Sequence, residues 1–269
     1  MNRNRAVVST VTVTLLSAGL AVGPASAAAS ASASASAAVS VSASEAKARV
    51  GGDWETQSIV FAAAAGQTND LSIYPMYTSD GIRRIGFRDV VPLEPGEHCA
   101  YSSAEDTTAV VCELPADSAR PDRIDVLLGD GDDTIAAFTP GMNTVSGGAG
   151  DDELHAHTAR TVLGDAGDDM VMGPATLHGG DGMDHLMGDG ENQRMWGGRG
   201  DDMIEGYGGD DTVYAGSGDD HVMGGDGRDV LLGGSGDDMV HGEGGDDFVW
   251  GGAGKDALDG GDGRDIVLP

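Results

Sequence analysis

Aromatic side chains are scarce in this chain: four Phe, three Trp and five Tyr among 269 residues. Apolar residues of all kinds reach only 39%. A conventional core built around large rings is therefore not the main source of order. Basic residues are few as well, with 15 Lys and Arg against 45 Asp and Glu, a formal net charge of −30. Phosphate recognition needs a basic surface, so nucleic acid is excluded as a natural partner. A compact chain with this charge repels itself unless cations neutralise it. Composition alone also allows disorder, so the arrangement of the acids has to decide.

Other absences narrow the chemistry. There is no H-E-x-x-H, G-x-S-x-G, P-loop or dinucleotide fingerprint, so no familiar enzyme is indicated and no catalytic residue is assigned. Beyond the N-terminus no run is apolar enough to span a membrane. The only cysteines are Cys99 and Cys112. In an oxidising compartment two make one disulfide, and the short polar stretch between them suits a hairpin. A metal pair is the weaker reading, because His98 is an isolated neighbour.

The N-terminus reads as an address. Asn2-Arg3-Asn4-Arg5 is positive, Ala6 to Gly23 is small and apolar, and Ala25-Ser26-Ala27 is an A-x-A site. These parts make a secretory signal peptide, 1–27, cleaved after Ala27. Residues 28–48 alternate Ala, Ser and Val, an expected disordered linker. Residues 49–122 hold short β runs: Ser58 to Phe61, Asp70 to Tyr74 ended by Pro75, Ile82 to Phe87, and Ala109 to Leu114. They predict a small antiparallel β domain of four or five strands with the cystine. Ile124 to Leu127 runs straight into the glycine-rich C-terminal half, so this domain is expected to cap that half.

What the chain has in abundance is glycine, 45 residues, and a repeat. From Gly179 to Leu268 it divides into ten unbroken nonapeptides of the form G-G-x-G-x-D-x-U-x, U being large and apolar. Three more lie upstream out of phase, at 128–136, 147–155 and 164–172. Nine of the ten in-phase copies carry Asp at the sixth place. Glycine at places one, two and four is expected to permit backbone angles closed to a β-carbon and to let turns lie close. Places seven to nine form a short strand whose middle residue points inward. The expected stacked core is Ile135, Leu154, Val171, Leu186, Met195, Ile204, Val213, Val222, Leu231, Val240, Val249, Leu258 and Val267. Two nonapeptides make one coil, with identical loops about 4.7 Å apart.

This pattern resembles the RTX calcium-binding repeat, and the resemblance covers roughly the last 140 residues. It implies an all-β fold in which 123–269 form a parallel β-roll, and it implies several bound Ca²⁺ ions. The metal ligands it assigns are Asp133, Asp152, Asp169, Asp184, Asp202, Asp211, Asp220, Asp229, Asp238, Asp247, Asp256 and Asp265, each ion lying between loop i and loop i+2. Oxygen donors in this arrangement suit Ca²⁺, and Mg²⁺ should substitute poorly. The copy at 188–196 departs from the pattern: Glu191 replaces glycine and Gln193 replaces the Asp, predicting a weak site or none. Segments 137–146, 156–163 and 173–178 depart further, with Pro140 and Pro174, so the upstream sites are less firmly expected. The leader and small domain also resemble secreted calcium-binding proteins of actinobacteria.

Remaining motifs are weaker. Arg199-Gly200-Asp201 falls inside a turn that demands Gly and Asp anyway. His155 and His157 can chelate from one strand, although the seven histidines are otherwise scattered. Trp196, Trp250, Tyr207 and Tyr214 sit at variable places. The expected function is a secreted, extracellular, non-enzymatic calcium-binding protein. One alternative is a calcium-dependent adhesion or matrix protein with 49–122 as its head and a cell-surface partner. An open β edge at Leu268 also invites calcium-dependent self-association. A hydrolase with an unfamiliar site is the third reading.

Overall fold

The computed structural model describes residues 47–53, 58–77, 83–113 and 123–269. The expected signal peptide, 1–27, and most of the expected Ala/Ser linker lie outside these residues. Every element within them is a strand, and no helix there is long and apolar enough to cross a membrane. The strands form two sheets of 12. The chain alternates between them, so each sheet pairs with itself one coil later. In the in-phase region that spacing is 18 residues, as in Met195↔Val213 and Ile204↔Val222. The result is a mostly parallel β-solenoid, and one nonapeptide supplies each half-coil.

Period-two alternation puts the eighth-place residue of each short strand inside. Ile135, Leu154, Val171, Leu186, Met195, Ile204, Val213, Val222, Leu231, Val240 and Val249 are all fully buried, as expected. Leu258 is only partly buried and Val267 is 40% exposed, because the last described coil has a neighbour on one side only. The irregular segments do not break the stack. They supply Val145, Val162 and Leu177, which continue the first sheet's inner row and are fully buried. Coil length varies through 19, 17 and 15 residues before settling at 18. Loops on one edge absorb the difference, which is why sequence periodicity missed these strands.

The leading segment is wound into the same sheets. It contributes β1 (Ala48–Asp53), β2 (Ser58–Ala62), β3 (Asp70–Tyr77), β4 (Arg83–Arg88), β5 (Leu93–Pro95), β6 (Cys99–Tyr101) and β7 (Ala109–Glu113). After it come β8 (Arg123–Asp130) and β9 (Thr134–Ala137). Strand β2 pairs parallel with β8 and β3 parallel with β9, so both act as a first coil. Further strands then finish each sheet: β1 antiparallel on β2 with β5 parallel beyond it, and β4, β7 and β6 antiparallel in succession beyond β3. One apolar cluster runs from Ala48 to Val249 without a gap at the junction.

Two sequence expectations need correction. Ala48, assigned to the linker, lies in β1 and is fully buried opposite Leu93. Pro75 does not end its strand. Strand β3 meets β9 only through Ile73, so Pro75 faces a partner on one side alone and its missing N–H leaves no gap in a central ladder.

Cys99 and Cys112 are bonded, as the spacing suggested, and face each other across the β6–β7 hairpin. A closed loop of this size constrains the unfolded chain by about 2–4 kcal/mol. The double change Cys99→Ser and Cys112→Ser is expected to lose that amount. Denaturant unfolding of the calcium-loaded protein checks this through a lower midpoint.

Candidate metal centre

Each strand of the roll is entered through a turn, and the turn's glycines have different tasks. Gly198 and Gly200, at places two and four of one repeat, have φ of 130° and 116°. A Cβ on either would strike the carbonyl oxygen of Gly180 or Gly182, its counterpart one coil earlier. At three repeats whose place two is not glycine the left-handed backbone persists, with φ of 79° at Asp165, 70° at Tyr207 and 74° at Glu243; Asp189, in the anomalous copy, does not adopt it.

Place one corrects the sequence reading. Gly197 and Gly206 do not adopt a left-handed φ, so torsional freedom is not what they provide. A Cβ on Gly197 would collide with the Asp202 Oδ2 and the Ala215 carbonyl oxygen. On Gly206 it would collide with the Asp211 Oδ2 and the Gly224 carbonyl oxygen. Glycine at place one leaves room for its own repeat's sixth-place carboxylate beside a carbonyl of the next coil.

The sixth-place residues form two rows, one on each edge of the roll. The first runs Asp133, Asp152, Asp169, Asp184, Asp202, Asp220, Asp238, Asp256. The backbone N–H of each donates to the Oδ1 of the next, over 2.8–3.2 Å. The out-of-phase repeats thus join the row in register. The second row is shorter: Gln193, Asp211, Asp229, Asp247, Asp265, with N–H to Oδ1 distances of 2.7–3.1 Å. Its head is the anomalous Gln193, whose Nε2 donates to Asp189 Oδ1 at 2.6 Å.

In both rows the second carboxylate oxygen is buried without a donor. This holds for Oδ2 of Asp133, Asp152, Asp169, Asp184, Asp202, Asp211, Asp220, Asp229, Asp238 and Asp247. Asp256 and Asp265 occupy the last described coil and are half-buried. A buried carboxylate oxygen with no partner is costly. Like charges one strand spacing apart add about 3 kcal/mol of repulsion per pair at an effective dielectric of about 20. Burial, reinforced by neighbouring carboxylates and opposed by the backbone donors, pushes the acids up. Asp169, Asp202, Asp211 and Asp220 reach about 7. Asp133, Asp152, Asp184 and Asp229 reach about 6.

The donors gathered here are hard oxygens: one carboxylate per loop, plus carbonyls of stacked turns. Among the described residues no three His, Cys, Asp or Glu side chains converge, so backbone oxygens would have to complete any coordination shell. That composition fits Ca²⁺ and does not fit a nitrogen- or sulfur-seeking ion.

Three features escaped the sequence reading. Asn69 stands at the head of the first row, its N–H donating to Asp133 Oδ1 at 2.5 Å, so 64–69 is a degenerate repeat turn with Asn for Asp. Asp89 lies beside it, accepting from the Asp70 N–H at 3.0 Å, with a buried Oδ2 lacking a donor. Fifth-place acids form a further, exposed ladder running the other way: the N–H of Asp219 donates to Asp201 and that of Asp237 to Asp219. Only the Asn69-Asp70-Leu71 order hinted at the first of these. Among the aromatics, Trp196 stacks between His178 and Tyr214, with ring centres 4.5 and 5.7 Å away.

The family model of the RTX calcium-binding nonapeptide repeat matches the chain in four copies, over residues 139–158, 196–231 and 232–267. No curated protein matches it. Asp133, Asp169 and Asp184 lie outside the matched spans yet share the ladder and the buried Oδ2 of those inside. Sequence pattern, two-sheeted winding and family match agree: this chain carries RTX calcium-binding nonapeptide repeats, coiled as a β-solenoid.

Proposed function

We propose that the protein is a secreted calcium-binding protein whose repeats fold as Ca²⁺ binds, with the sixth-place aspartates as the side-chain ligands. The observation that carries this reading is the row of buried Oδ2 atoms without donors. At Asp152, Asp169, Asp202, Asp211, Asp229, Asp238 and Asp247 that oxygen and a carbonyl oxygen of the next coil border the same place-one glycine. Asp133, Asp152, Asp169, Asp184, Asp202, Asp220, Asp238 and Asp256 would hold ions on one edge. Asp211, Asp229, Asp247 and Asp265 would hold them on the other. A bound ion supplies the positive charge that lets these carboxylates remain ionised and close together.

The energetics point the same way. One buried Val or Leu stabilises a repeat by about 1.5–3 kcal/mol. Ordering even three of its loop residues costs about as much or more in backbone entropy. Binding energy then becomes folding energy. The positive N-terminus, apolar stretch and Ala25-Ser26-Ala27 support export, and the disulfide suits an oxidising compartment. Extracellular calcium modules work at about 10⁻⁴ to 10⁻³ M, an affinity that keeps such a chain unfolded until it leaves the cell.

The test is a calcium titration of the chain from residue 28 onward, followed by circular dichroism, with magnesium as control. A cooperative gain of β signal with calcium and none with magnesium is expected. Full β structure in chelator would refute coupled folding.

A further inference from the structure

Places seven and nine of every repeat flank the inward residue and therefore point outward. On the second sheet these places are rich in two residue types, histidine and methionine. In the strand His221–Asp226 they are His221 and Met223, on either side of buried Val222. In the next strand, Met239–Gly244, they are Met239 and His241, on either side of buried Val240. The register sets His221 beside Met239 and Met223 beside His241. Two imidazoles and two thioethers thus occupy the corners of one small patch, alternating around it.

The rings converge. The His221 and His241 ring centres are 6.0 Å apart, at 68° to each other. A first-row cation binds an imidazole nitrogen at about 2.0–2.1 Å, which places two ring centres bridged by one ion at most about 6.4 Å apart. The observed separation is inside that limit. Among the described residues neither ring has a hydrogen-bond or ion-pair partner, unlike His155, whose Nε2 lies 2.6 Å from Glu153 Oε1. Methionine has three rotatable bonds and a polarisable sulfur, and Met239 is 44% exposed. The four residues sit on paired strands, so in the calcium-folded roll their backbone positions are fixed before a second ion arrives.

We propose that His221, Met223, Met239 and His241 form a binding site for a soft cation of the copper(I) type, separate from the calcium rows. Thioether and imidazole donors select such an ion over calcium, which takes oxygen. The strongly acidic surface raises the local concentration of any cation. No electron transfer is involved: the ion binds and leaves as copper(I).

The experiment uses the chain from residue 28 onward, saturated with calcium and titrated with copper(I) without oxygen against a chromogenic copper(I) chelator. One copper(I) held per chain is the expected result. His221→Ala and the near-isosteric pair Met223→Leu with Met239→Leu should each weaken it at least about tenfold, a loss no smaller than that caused by disturbing an outer ligand shell. Their calcium-induced circular dichroism should match the parent, which separates a lost ligand from a lost fold. Two results overturn the site: a parent with full β signal that yields all its copper to the chelator, or an unchanged affinity in the double variant His221→Ala, His241→Ala. Either would leave the calcium reading standing, since that reading is tested by the β signal alone.

Discussion

Replacing Gly200 by alanine is expected to destabilise the calcium-loaded roll by about 3 kcal/mol, a shift of roughly a hundredfold in the folding equilibrium. Two costs add. With φ at 116° the backbone is in a region that side chains rarely enter, worth about 1–3 kcal/mol. The new methyl group would also run into the Gly182 carbonyl oxygen, and overpacking of this kind costs a further 1–3 kcal/mol or so. That carbonyl belongs to the neighbouring coil, so relief requires the coils to part where the first row of carboxylates is stacked. Gly190→Ala is the control: a Cβ there meets nothing within 4 Å, and its φ is not left-handed. It should stay within about 1 kcal/mol of the parent or gain slightly. Thermal or denaturant unfolding in saturating calcium measures both. Equal effects would mean that the close approach of successive turns does not hold the stack together.

Acidification is expected to substitute for calcium in part. The row acids are raised by burial to about 6 at Asp133, Asp152, Asp184 and Asp229, and to about 7 at Asp169, Asp202, Asp211 and Asp220. A carboxyl whose folded value exceeds its unfolded value of 3.8 takes up protons on folding. Its contribution is fully present below 3.8 and is lost as the pH rises through about 6 to 7. In chelator, the β signal should therefore be least above pH 7 and should grow as the pH falls toward 5. Falling net charge works in the same direction, since fewer like charges repel. In calcium the trend reverses: protons compete for the same oxygens, so the calcium midpoint should climb as the pH drops from 7.5 to 5.5. Far-UV circular dichroism against pH, with chelator and with calcium, reads both limbs. A chelated protein that loses β signal steadily on acidification would contradict the assignment of these carboxylates to buried, unpartnered positions.

Much of this was legible from spacing alone. The nine-residue period fixes which side chain enters the core, because a three-residue strand has only one inward position. Leu186 through Val249 fell where the repeat put them. The sixth-place Asp and the Cys99–Cys112 pairing were legible for the same reason: each depends on local chain geometry at a constant separation. Glycine at place one was legible as a preference, with Leu128 and Ala215 as departures, but not as a cause. Its cause is the room taken by the Asp202 or Asp211 carboxylate, which only the folded turn reveals.

The sequence by itself determined the all-β class, the coil of two nonapeptides, the inward row and the acids that face the turns. The tertiary structure alone decided which coils are neighbours across irregular segments. Coils of 19, 17 and 15 residues carry no common period, yet Asp133, Asp152, Asp169 and Asp184 stand in one ladder. It likewise decided that Asn69 heads that ladder, that β2 and β3 form a first coil, and that Gln193 heads the shorter row. Periodicity describes contacts that recur at a fixed distance along the chain. Stacking is set by hydrogen bonds between adjacent coils, which accept any loop length that returns the strand to register.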